Sequence, residues 1–318
     1  MILRVAALAF LLFIALAAGA QQPHRIYKIG VLNEAWAANH PAVEGLKEGL
    51  REQGLIEGRD VAYEIRFTKG ESGATTAAAA ELVKAGVDLI FTSNESATLA
   101  AKKATQRIPI VFTLVGDPVA AGIVASLPKP GGNLTGISSL ATELAAKRLE
   151  VLKTLAPGLK RVWFLFYRFD ITDSSALETL RDAARRLKVG LIPRPVNDAA
   201  DLAQVIKEQI KPGDAVLAPA VDTLDIPASI LEAAGIPSVF TTALWVENGA
   251  LISYGPDFRA QGVQAARLVA KILHGTRPQD LPVEGADRID LAINLNTARQ
   301  LGIAVPPKIL FRANVVQR

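Results

Sequence analysis

The sequence predicts an α/β protein built from two doubly wound parallel sheets in tandem. Three observations carry this. Short β-branched runs alternate with longer helical patterns, as βαβ units require. The alternation stops and starts again at Glu143, and 318 residues leave room for about two domains. Half of the residues are hydrophobic, 21% are charged and only 6% are aromatic, which is too apolar for disorder. With no cysteine, disulfide frameworks, thiolate metal sites and Cys nucleophiles are excluded, and the composition suits an oxidising compartment.

The chain opens with a short basic start, Met1 to Arg4, followed by an unbroken apolar run from Val5 to Ala18. Ala18-Gly19-Ala20 is a small-x-small cleavage signature before Gln21, so residues 1–20 are expected to be a signal peptide cut after Ala20. The run is short for a bilayer span. No Cys follows it to carry a lipid, so the expected product is a soluble periplasmic protein without a membrane anchor. The formal charge of +4 comes without a dense Lys/Arg cluster, and no nucleic-acid partner is expected.

Strands of the first half are expected at Ile26–Leu32, Val61–Phe67, Val87–Thr92, Ile110–Leu114 and Leu134–Ser138. Between the first two, Val43, Leu46 and Leu50 recur at helical spacing until Gly54 stops the helix. Thr75 to Ala85 is Ala-rich and a good helix former. The second half begins with a helix from Glu143 to Leu155, ended by Pro157-Gly158. Strands are then expected at Val162–Phe166, Val189–Ile192, Ala215–Ala218, Ser238–Phe240 and Leu251–Tyr254, giving two five-strand sheets. Asp257 caps a long helix over Phe258–Leu273, with Pro256 before it and Gly275 after it. The remaining tail is Pro-rich with one apolar run, Leu291–Leu295, which periodicity alone does not place.

Catalytic signatures are missing. There is no HExxH, GxSxG elbow or Walker loop, and the turn after the first strand has no GxGxxG to hold a dinucleotide. Of three histidines only His40 follows a strand end. No cofactor, metal or catalytic residue is expected. Polar residues do gather where strands end, the usual place for ligands in open α/β sheets. In the first lobe these are Asn33, Glu34 and Trp36, then Ser93, Asn94, Glu95 and Ser96, then Gly116 and Asp117. In the second they are Tyr167, Arg168 and Asp170, then Asp222, then Thr241 and Thr242, then Trp245. Asn94 or Ser96 also suits a helix cap, and Asp117 before Pro118 suits an N-cap. Arg168 is the one basic side chain among these positions and would attract a carboxylate.

Several stretches resemble the ABC transporter substrate-binding proteins related to tryptophan/tyrosine uptake receptors. They are GLKEGLREQGLIEG (Gly45–Gly58), AELVKAGVD (Ala80–Asp88), IPIVFTLVGDPVAAGIVASLPKPGGNLTG (Ile108–Gly136), GALISYGPD (Gly249–Asp257), KILHGTRPQDLPV (Lys271–Val283) and INLNTARQLGIAVPP (Ile293–Pro307). The resemblance implies a type I periplasmic-binding fold with two lobes joined by a hinge, placed near Gly136–Ala141 and Tyr254–Pro256. Lobe one would hold residues 24–138 and about 256–290, lobe two 139–255, with the tail 291–318 unassigned. It also implies a small-molecule ligand, such as an amino acid or related metabolite, and ABC permease and ATPase partners.

Asp117 and Asp222 match pattern positions of that family. Ser93 to Ser96 departs from its usual small or Thr-Pro-like helix start, and Tyr167-Arg168-Phe169-Asp170 departs from its Asn-Pro turn. For an amino-acid ligand, Arg168 or the helix start at Asn94–Ser96 is expected to take the carboxylate. Asp222 or Asp117 would take the ammonium, and Trp36 or Tyr167 would cover the apolar part. The competing reading is an exported carboxylate-dependent hydrolase using Glu34, Glu95 and Asp117, and the poverty of bases and nucleophiles disfavours it. A sensory ectodomain is disfavoured by the lack of a second apolar span.

Overall fold

Nearly continuous apolar runs such as Leu89–Thr92 and Ile110–Val115 belong in strands covered on both faces. That is where the computed structural model, which describes residues 25–34, 39–69, 72–167, 171–197, 199–218 and 235–317, puts them. The first sheet comprises β1 (Tyr27–Asn33), β2 (Val61–Phe67), β3 (Leu89–Thr92), β4 (Ile110–Val115), β5 (Leu134–Ser138) and the two-residue β11 (Glu284–Gly285). Its order is β11-β5-β4-β3-β1-β2, and every pairing is parallel. The helices α1 (Pro41–Glu52), α2 (Ser72–Lys84) and α3 (Glu95–Ala104) connect its successive strands.

The second sheet holds β6 (Arg161–Tyr167), β7 (Gly190–Val196), β8 (Asp214–Leu217), β9 (Ser238–Phe240), β10 (Ile252–Pro256), β12 (Ile289–Asn294) and β13 (Val315–Gln317). Its order is β13-β12-β10-β9-β8-β6-β7, parallel except where β12 runs against β10. Its helices are α4 (Ala141–Leu155), α5 (Ile171–Leu187), α6 (Ala199–Glu208), α7 (Ala243–Glu247), α9 (Leu295–Gln300) and α10 (Pro307–Arg312). The helix between the two sheets in sequence is α8 (Phe258–Leu273), capped by the Asp257 carboxylate, which accepts from Ala260 N at 3.0 Å.

Three differences from the sequence expectation have physical causes. Among the described residues the sheets have six and seven strands rather than five each, because the C-terminal stretch returns as β11 to one sheet and as β12 and β13 to the other. β11 and β13 have only two and three residues, and the apolar run Leu291–Leu295 that marks β12 carries no local sign of which sheet it joins. β7 runs on through Pro193 and Pro195 to Val196, since it is an edge strand and one side of its ladder needs no N–H donors. No helix follows Asp117: residues 118–122 form a turn in which Asp117 Oδ1 accepts from Ala120 N at 2.9 Å.

The chain passes between the sheets three times. It leaves β5 through Ser139 and Leu140 into α4, and returns from β10 through Asp257 into α8, which packs on α1. It then crosses again between β11 and β12 through residues 286–288, a passage the sequence did not reveal. Asp257 and Arg288 tie the second and third passages, by a backbone bond from Asp257 N to Arg288 O at 3.2 Å and an ion pair at 3.5 Å. Leu140 at the first passage and Leu114 at the irregular end of β4 hold φ of 54° and 59°, a left-handed conformation unfavourable for Leu.

Helix α8 is seated on the first lobe by glycines. A Cβ on Gly45 would lie 2.0 Å from the Arg259 carbonyl oxygen, and one on Gly262 would lie 2.1 Å from that of Ala42. Backbone touches backbone there, which only glycine permits.

Candidate functional site

The polar strand ends of the first sheet assemble around one carboxylate. Glu34 follows β1 and is 5% exposed. Its Oε1 accepts from the hydroxyls of Thr75 and Ser96, both at 2.6 Å, and its Oε2 accepts from Asn94 Nδ2 at 3.0 Å. Glu34 makes no ion pair among the described residues, so three neutral donors offset its desolvation. Asn94 serves two partners at once, because its Oδ1 also caps α3 by accepting from Ala97 N at 2.8 Å. Beside it, Ser93 Oγ donates to Asn33 Oδ1 at 3.0 Å, with both residues buried. The α3 start, expected to face a ligand carboxylate, therefore faces the protein's own Glu34. Glu95 is the half-buried first residue of that helix. Gly116 accepts at its carbonyl from Ser138 Oγ at 3.2 Å, and Asp117 is held in its turn.

In the second sheet, Thr241 and Thr242 follow β9 and are buried. Tyr167 is the last residue of β6. Trp36, Arg168, Asp170 and Asp222 lie outside the described residues. Trp245 packs its ring against Phe240 at 5.2 Å, a core contact within the second sheet.

Where the sheets join, Leu114, Ser139, Arg148, Thr241, Thr242 and Phe258 line a small crevice. Arg148 is the residue that reading the strand ends missed. It sits mid-helix in α4 and is 4% exposed. A signal for it exists in the sequence: Ala145, Arg148, Leu149 and Leu152 fall at i, i+3, i+4 and i+7, so the arginine lies on the buried stripe.

His40 lies beside Phe258 with the rings stacked 5.6 Å apart. Its Nδ1 accepts from Ala42 N at 3.2 Å and caps α1. Burial lowers its pKa to about 4, which keeps the imidazole neutral and able to accept. Among the described residues no group of three or more His, Asp or Glu is placed to hold a metal ion, and no helix is long and apolar enough to cross a membrane.

Comparison with known proteins adds four findings. The family model described as ABC transporter substrate binding protein matches residues 35–317. The tyrosine-binding protein of Clostridioides difficile is 28% identical over 270 residues, covering 82% of this chain and 78% of that protein. The crystal structure of an ABC domain from Streptococcus pneumonia in complex with L-Trp superposes with a TM-score of 0.85 at 25% identity, over 92% of this chain and 100% of that one. The ligand-free, open structure of a substrate binding protein with adhesive properties from Clostridium difficile superposes at 0.69 with 26% identity, over 92% of this chain and 99% of that one.

Proposed function

Because the chain belongs to the ABC transporter substrate binding protein family, we propose that it is the solute receptor of an importer. In this reading it closes two lobes on an amino acid, aromatic ones being the first candidates, and hands it to permease and ATPase subunits. The observation that carries the reading is the pair of superpositions. At nearly equal identity and coverage the chain superposes on the L-Trp complex with a TM-score of 0.85 and on the ligand-free open form with 0.69, which supports an amino-acid ligand held between the two sheets.

The lobes follow the sheets, with residues 24–138 and about 256–290 in one and 139–255 in the other, and the cleft lies between their strand ends. Lobe one offers Asn33, Glu34, Ser93, Asn94, Glu95, Ser96, Gly116 and Asp117. The buried carboxylate of Glu34, which meets neutral donors only, suits the ammonium of an amino acid. Trp36, Tyr167, Arg168, Asp170, Asp222, Thr241 and Thr242 complete the proposed set. Cleavage after Ala20 delivers the receptor to the periplasm. A hydrolase is not favoured, since Glu34 is held by three donors and Asp117 by its own turn.

A thermal-shift screen of the twenty amino acids, sugars and purines tests the reading. A ligand at 100 times its dissociation constant adds roughly 2.7 kcal/mol of stability. Stabilisation by tyrosine or tryptophan is expected, and stabilisation by sugars alone would overturn the choice of ligand.

A further inference from the structure

Two buried polar side chains, Arg148 and Thr242, line the crevice at the lobe junction. Arg148 Nη2 donates to the Ala141 carbonyl at 3.0 Å, which draws the guanidinium back along α4 toward the first passage between the sheets. A guanidinium carries five N–H donors in a planar fork that matches a carboxylate. Thr242 is 4% exposed and stands at the N-cap of α7, yet its hydroxyl makes no capping bond. Thr242 Oγ1 has no hydrogen-bond partner among the described residues. A buried hydroxyl in that condition is costly, and it is matched by a group that accepts from it. Leu114 and Phe258 add apolar lining, and surroundings of low polarity strengthen charge pairing.

We propose that this crevice takes the carboxylate of the bound solute, with Arg148 supplying the charge and Thr242 a further O–H donor. The ligand class is therefore one that carries an acid group and points it at the lobe junction. This rests on the reading of the chain as a receptor for an amino-acid-like solute. It differs from the sequence expectation, in which Arg168 or the α3 start took the acid end, and the α3 start is filled by Glu34. Leu114 and Phe258 come from elements of the first sheet and its helices, whereas Thr241 and Thr242 follow β9 of the second. A carboxylate bound here draws the two lobes onto one group.

The test is calorimetric titration of L-tryptophan, L-tyrosine and their α-carboxamides into the wild-type protein, Thr242→Val and Arg148→Met. The wild type is expected to prefer acid over carboxamide by roughly thirtyfold or more. Thr242→Val should weaken binding of the acids roughly tenfold, while its ligand-free melting temperature stays equal or rises because an unpaired buried hydroxyl is removed. Arg148→Met should bring the preference close to one, and if that variant does not fold, Thr242→Val decides alone. Equal wild-type affinity for acid and carboxamide, or full acid affinity in Thr242→Val, would overturn the proposal and leave the receptor reading intact. The same separation follows if no carboxylate but an uncharged solute stabilises the protein, whereas no stabilisation by any solute would overturn both.

Discussion

Ser96 donates its hydroxyl to Glu34 Oε1 at 2.6 Å, so the start of α3 is closed by a carboxylate that follows β1, 62 residues earlier. The same carboxylate takes Thr75 and Asn94, and through them joins α2 and α3 to the end of β1. Glu34→Gln would turn an NH2 group toward one of these donors and leave it unpaired. A cost of about 2 kcal/mol is expected, measured as a lower midpoint in urea unfolding. An unchanged midpoint would show that the cluster does not hold these elements together.

His40 makes the stability depend on pH. Its pKa is about 4 when folded, against an ordinary 6.5 when unfolded. Between these values the unfolded chain binds more protons, so folding stability falls as pH drops from about 6.5 toward 4 and this contribution is complete above 6.5. The shift amounts to on the order of 3 kcal/mol. His40→Asn keeps a capping acceptor and removes the titration. Its stability should therefore vary less than the wild type's over that window, and an identical pH profile in both would exclude His40 as the cause.

The glycine contacts between α1 and α8 are expected to be intolerant. In Gly45→Ala the new methyl would meet the Arg259 carbonyl oxygen at 2.0 Å, and separating the helices should cost about 3 kcal/mol. Gly73 in α2 has no atom within 4 Å of the same methyl, so Gly73→Ala should be neutral or stabilise by up to about 1 kcal/mol. Melting curves of the two variants check the contrast, and similar losses in both would refute the close approach.

Closure should be visible in solution. Three passages between the sheets, two of them tied by Asp257 and Arg288, allow the lobes to rotate with little change inside either. Small-angle scattering is expected to give a smaller radius of gyration with L-tryptophan than without it. Equal radii at saturation would mean that binding does not close the cleft.

The parts of the fold legible in the sequence are those set by local rules. The helix over Phe258–Leu273 was readable because Asp257 caps it and Gly275 ends it, and both are local signals. Val61–Phe67, Leu134–Ser138 and Ser238–Phe240 were readable because β-branched runs stand between turns. The tail was not, because β11, β12 and β13 are recruited to two different sheets by pairings more than a hundred residues long in one case and roughly thirty to forty in another. The site divides the same way. Glu34 and Ser96 were both visible as polar strand ends, but their bond was not, since nothing local connects β1 to α3. Arg148 was passed over because it sits in mid-helix beside Lys147, where charge usually means solvent, although its place on the apolar stripe pointed inward.

The central claim is that strand ends from both sheets form one ligand site. Hydrogen–deuterium exchange with and without saturating L-tryptophan tests it most directly. Slower exchange is expected together at 33–34 and 93–98 of the first sheet, at 241–245 of the second, and at the 139–145 passage. Slowing confined to one sheet, or found on the outer α1–α8 face instead, would contradict a site shared between the lobes.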